Sequence, residues 1–171
     1  MMGYDLLQRK TTIAAIILAT GLILLAAQLI QAGALPLTTT LNYSSQGRQL
    51  IRIWLRLAGI IGILLPFIGL IGGWRDRQLR AILAYYFLVI LAQLVTEQVI
   101  TNLYFPSLVV LIGILYTLWR TGQLWQAYQQ LQRRQHLPHR RLILTLIWIL
   151  LAFWSANLLL LFGISLPAIM G

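Results

Sequence analysis

The side chains able to do chemistry are few. Asp5, Asp76 and Glu97 are the only acids, His136 and His139 the only histidines, and cysteine is absent. Paired carboxylates for acid–base work need two acids in one site, yet only Glu97 falls inside an apolar run. No HExxH pattern, no thiol and no glycine-rich phosphate loop is present, so metalloprotease, cysteine and nucleotide chemistry lack their parts. His136 and His139 have no acid or thiol beside them to complete a metal site. Lying in a basic loop, they are also misplaced as ligands of a haem or pigment between helices. A serine nucleophile has no base in the apolar segments. The chain reads as non-catalytic, without a metal or a cofactor.

What remains is a group of polar side chains embedded in apolar runs: Gln28, Arg56, Gln93, Glu97, Ser107 and Asn157. Glu97 is the natural anion of that group and Arg56 its natural cation. The spacing predicts an Arg56–Glu97 ion pair between adjacent helices, with Gln93 one turn deeper against a glycine-rich face near Gly62. An isolated charge in a membrane span costs at least about 2.5–3.5 kcal/mol, whereas a polar contact returns below about 1–2 kcal/mol. The pair would avoid a penalty more than it would add stability. Two other readings stand beside this polar clamp: side chains near helix ends simply reaching headgroups, and a site for a solute or ion.

The elements that must position these groups follow from composition. Sixty per cent apolar residues and nine per cent charged ones, with a mean hydropathy of +0.83, exclude an ordinary soluble domain. The fold class expected is all-α, a polytopic membrane helix bundle in one domain. Five spans are expected near residues 11–31, 49–73, 80–101, 106–135 and 139–163. The first resembles a secretory signal, since Ala32-Gly33-Ala34 imitates a cleavage site, but its apolar run has the length of a retained span. The fourth keeps its helical period past Trp119-Arg120, with Leu124, Trp125, Tyr128 and Leu131 opposite Gln123, Gln126, Gln130 and Arg134. Either one long helix or a break near Gly122 followed by a cytoplasmic amphipathic helix fits that pattern.

The second span carries a further signal. Arg48, Arg52, Arg56, Gly59, Gly62, Pro66, Gly69 and Gly73 recur at intervals of three and four, which places them on one helical face. Gly59, Gly62, Gly69 and Gly73 read as a surface for close helix packing, and Pro66 as a kink.

Basic residues occur at 9–10, 75–80 and 120–141, while 32–47, 102–106 and 163–171 have none. That alternation predicts a cytoplasmic N-terminus and an external C-terminus, in a bacterial inner or thylakoid membrane. Arg48, Arg52 and Arg56 break the rule and ask for a local partner. Counting about 1.5 Å per residue from the cytoplasmic helix ends puts Gln28, Arg56, Glu97 and Asn157 some 22–25 Å deep, with Ser107 level with them. The net charge of +10 is explained by these loops, and nucleic acid is excluded as a partner because no soluble basic module exists to bind it. Trp119, Trp125 and Tyr128 beside Arg133 and Arg134 would suit anionic headgroups or a partner subunit. The function expected is an accessory, assembly or structural subunit of a larger membrane complex, or a homo-oligomer. The competing expectation is a component of a small-solute or ion transporter built on the polar cluster, and a weaker third is an enzyme relying on a bound lipid or cofactor.

Overall fold

Proline, glycine and capping side chains set where the helices start, widen and stop. In the computed structural model, which describes residues 2–133 and 140–170, the described residues hold helices and no strand. Five helices are long and apolar enough to cross a membrane, the pattern of a membrane protein. They are α1 (Met2–Gln31), α2 (Ser45–Gly72), α3 (Arg77–Leu103), α4 (Leu108–Gln132) and α5 (Arg140–Met170).

Helix α1 ends in a left-handed Gly33 (φ 72°). The Gly33 N–H bonds Ile30 O at 3.0 Å and the Ala34 N–H bonds Leu29 O at 2.9 Å, a Schellman ending that only glycine adopts without steric cost. Ser44 caps α2 by accepting from the Gly47 N–H at 3.0 Å. Asp76 caps α3, its Oδ1 accepting from the Gln78 and Leu79 N–H groups at 2.9 and 3.0 Å. Each such cap is worth about 1 kcal/mol.

Two helices widen into π-helical turns, and both do so just before a proline. In α2 the turn covers Ala58–Leu64 and precedes Pro66. In α5 it covers Leu161–Ser165, closed by the Leu166 N–H on Leu161 O at 2.7 Å, and precedes Pro167. Proline lacks an N–H and its ring crowds the carbonyl four residues back, so the preceding turn opens to relieve the clash. The carbonyl four residues before Pro66 in α2 is that of Gly62.

Helix α4 is the centre of the bundle and packs on α1, α3 and α5. Helix α1 lies across α3 and α4, and α2 leans on α3 and α5 through its π turn and C-terminal part. Gly62 and Gly69 make that approach possible. A Cβ on Gly62 would stand 2.7 Å from Trp154 Cζ2, and one on Gly69 2.5 Å from a Leu146 methyl. Pro66 is buried in the same seam. Gly73 is closed off by Leu79 beyond the turn, whereas a Cβ on Gly59 would meet nothing within 4 Å. Only part of the small-residue face is therefore a packing surface.

The N-terminal part of α2, Ser45–Leu57, stands off from the bundle. Trp54 is its anchor, its ring stacked on Phe153 at 4.8 Å. The chain's last turn closes the far end: the Thr38 N–H bonds Ile169 O at 2.7 Å and the Asn42 N–H bonds Ala168 O at 3.1 Å, with Ile169 buried beside Val110 and Ile114. Large apolar side chains such as Ile17, Leu18, Leu55, Ile68 and Ile71 face outward, a surface whose chemistry suits acyl chains better than water.

Candidate functional site

The polar interior is organised by α4, and its key residue is Arg120. This arginine is the central residue of α4, and it is 1% exposed. Helices α3 and α4 run antiparallel in register along their full lengths, as the Gln78–Gln130 contact near one end and the Thr96–Tyr116 hydrogen bond (3.0 Å) further along both require. Arg120 therefore lies about 18 Å inside α4 at 1.5 Å per residue. Its Nη2 donates to Gln93 Oε1 at 2.6 Å, and Gln93 Nε2 donates to Glu97 Oε1 at 2.7 Å. Gln93 is thus an amide relay between a guanidinium and a carboxylate. The guanidinium also lies over the Trp154 ring, 3.9 Å from its centroid, with the Tyr86 ring 5.9 Å away. Such stacking is worth about 2 kcal/mol where water is excluded.

Two further chains of hydrogen bonds meet the same helix faces. Trp154 Nε1 donates to the Tyr86 hydroxyl at 2.9 Å, and that hydroxyl donates to Gly62 O at 2.6 Å. Tyr86 thereby bonds the carbonyl four residues before Pro66, which has no N–H to offer it. Trp54 Nε1 donates to Asn157 Oδ1 at 2.7 Å, and Asn157 Nδ2 donates to Thr117 Oγ1 at 3.1 Å. On the other side of α4 the Tyr116 hydroxyl lies between Thr20 and Thr96, at 3.3 and 3.0 Å.

Because Ser45–Leu57 stands off, a cavity of about 450 Å³ opens between α2 and the α3–α4–α5 face. Its walls are largely apolar, from Ile51, Leu55, Ile90, Val110 and Leu161, with Tyr43 and Trp54 toward the far end. Gln93, Glu97, Arg120 and Asn157 supply its polar patch.

Against the sequence expectation, the cation beside Glu97 is Arg120 and not Arg56. Arg56 is exposed on α2 and takes no part in the cavity lining. Gln28 is exposed on α1, and Ser107 is buried at the α3–α4 turn, its backbone N–H on Thr39 O at 3.4 Å. Gln93, Glu97 and Asn157 do come together around one cavity. Tyr86, not Gln93, faces the glycine seam at Gly62. The reason is placement along the helix: hydropathy falls after Trp119, so by sequence Arg120 groups with the basic segment 120–141 and stays out of the polar layer, whereas α4 continues unbroken through Gly122 to Gln132 alongside α3. A signal was present, since Thr117, Arg120 and Gln123 repeat every third residue and mark a polar stripe along α4.

The expected aromatic and basic face of α4 is divided. Trp125 is exposed and stacks on half-buried Tyr128, whose ring meets Trp148 edge-on at 5.3 Å. Leu124 and Leu131 are buried as core, and Gln123, expected to be polar surface, is buried as well with both amide atoms unpartnered. Trp119 is half-buried and Arg133 exposed, while Arg134, His136 and His139 lie outside the described residues. Among the described residues no three of His, Cys, Asp and Glu come together. The arrangement holds one positive and one negative group through a neutral amide, at the edge of an apolar chamber. Compared with protein-family models, with curated proteins and with solved structures, the chain matches none.

Proposed function

We propose that this is an integral protein of a bacterial inner or thylakoid membrane, N-terminus in the cytosol, that serves as a non-catalytic accessory or assembly subunit of a larger membrane complex. The observation that carries the reading is the N-terminal half of α2. It stands off from its own bundle, and it presents Arg48, Arg52 and Arg56 as exposed side chains. Arg48 is held by Tyr43 O at 2.9 Å, and the described acids nearest in sequence, Asp76 and Glu97, are engaged elsewhere. Three arginines at the end opposite the other basic segments find their counter-charge most economically on a neighbouring subunit, where charge complementarity selects the partner. Trp125, Tyr128 and Arg133 offer a second surface, for that partner or for anionic headgroups. Mild-detergent pull-down from native membranes tests the proposal. A stoichiometric membrane partner that is lost when Arg48, Arg52 and Arg56 are all replaced by Gln supports it. Recovery of the chain alone, unchanged by the replacement, refutes it.

The cavity favours a second reading, a component of a solute or ion transporter using Gln93, Glu97, Arg120 and Asn157. In reconstituted vesicles a flux abolished by Glu97→Gln, with the fold intact, would favour it over the first.

A further inference from the structure

We infer that the cavity between α2 and the α3–α4–α5 face is a binding site for an uncharged single-chain amphiphile, its polar head on the Arg120–Gln93–Glu97 relay and its chain along the apolar wall of α2. This goes beyond the subunit reading and does not rest on it.

Three features of the chamber select that chemistry. The first is charge. Arg120 and Glu97 border the same space and offset one another through Gln93. An anionic head would meet Glu97, a cationic head would meet Arg120, and either would bring an uncompensated charge into an apolar chamber. A neutral head that accepts from the guanidinium and donates to the carboxylate adds no charge. The second is an unmet donor. Arg120 is 1% exposed, yet its Nε has no acceptor. Buried polar atoms in native proteins almost always have partners, so the orphan leaves this guanidinium short of an acceptor at the edge of the cavity it lines. The third is size and wall chemistry. At about 30 Å³ per water-sized group, 450 Å³ holds roughly fifteen non-hydrogen atoms. That is room for one chain with a small head. A small polar solute would leave the apolar walls uncovered, and dry apolar cavities take up apolar molecules readily. Long-chain alcohols and prenols have this chemistry.

Gly59 provides a test that spares the fold. It borders the cavity, and a side chain there meets nothing within 4 Å of its Cβ. The full chain is placed in phosphatidylcholine nanodiscs and labelled with a long-chain alcohol bearing a photoactivatable diazirine, and the labelled peptides are mapped by mass spectrometry. Labelling is expected on residues 51–63 and 157–165, competed by the plain alcohol but not by the alkane or carboxylic acid of equal length. In Gly59→Phe it is expected to fall to the background seen on the lipid-facing side of α1. Gly59→Leu, a smaller filler, gives the same reading should the phenylalanine variant fail to fold. Labelling that both fillers leave unchanged overturns the site. Equal competition by the alkane removes the role of the polar relay, and equal competition by the acid refutes the choice of an uncharged head.

Discussion

Replacing Tyr86 by Phe removes a single oxygen, but that oxygen answers for two buried groups. The hydroxyl donates to Gly62 O at 2.6 Å and accepts from Trp154 Nε1 at 2.9 Å, and Tyr86 itself is 1% exposed. An unmatched buried donor or acceptor costs about 1–3 kcal/mol in water-soluble proteins. Interhelical hydrogen bonds in a membrane average nearer about 0.6 kcal/mol, with a ceiling of about 1.7. Two groups at the membrane values give a destabilisation of roughly 1–3 kcal/mol for Tyr86→Phe. The Gly62 share of that cost has an identifiable origin, because the residue four positions on is Pro66, which has no N–H. Pro66→Ala supplies a backbone N–H that reaches that carbonyl once the π turn tightens to α-helical spacing. In the Pro66→Ala background Tyr86→Phe should therefore cost less, by about 0.5–1.5 kcal/mol, whatever Pro66→Ala does by itself through lost packing. The assay is a complete double-mutant cycle, with reversible unfolding followed in mixed micelles as the fraction of denaturing detergent rises. Additivity within about 0.3–0.5 kcal/mol would refute the reasoning, since the tyrosine would then not be serving the carbonyl to which proline offers no N–H.

Other expectations can be checked by the same unfolding titration. Glu97→Gln removes the anion at the end of the relay while keeping an acceptor for Gln93 Nε2, and should cost about 1–2 kcal/mol. Arg120→Met with Glu97→Gln should cost less than the two singles summed, and additivity would dissolve the relay. Arg56→Leu should leave the unfolding midpoint where it is, because Arg56 is exposed, and a large shift would restore the Arg56–Glu97 pairing. Gly62→Ala drives a Cβ to 2.7 Å from a rigid tryptophan ring, so overpacking of about 1–3 kcal/mol should outweigh the helix-propensity gain of about 1 kcal/mol. At Gly59 the same change should be neutral or stabilising, and equal effects at the two positions would contradict the packing. Asn157→Ala removes the acceptor of Trp54 Nε1, so amide exchange should speed up selectively across Ser45–Leu57.

Much of the architecture is written locally. Twenty-residue apolar runs, Ser44 and Asp76 before helix starts, and Gly33 after a helix end are short-range signals, and each marks the element it should. The small residues of α2 likewise announce a packing face, and Gly62 and Gly69 serve in one. Polar groups in apolar runs were visible too, and Gln93, Glu97 and Asn157 do share a cavity. Their partners were not visible. Arg56 and Arg120 are both arginines at the margins of apolar segments, and no local rule separates one that faces outward from one at the heart of the bundle. Tyr86 escaped notice because tyrosine in a span passes for an interfacial anchor. The link that matters is to a carbonyl 24 residues earlier in the chain.

What the sequence by itself determined is the number and kind of helices, for a helix draws its backbone hydrogen bonds and its apolar run from neighbours within a few residues. What only the tertiary structure decided is which arginine meets Glu97 and where the cavity lies. Those outcomes depend on the register of α3 against α4 and on α2 leaning at one end and standing off at the other. Register is set by the summed packing of many side chains, Trp154 against Gly62 among them, and a shift of one turn would exchange every polar partner without altering any single helix.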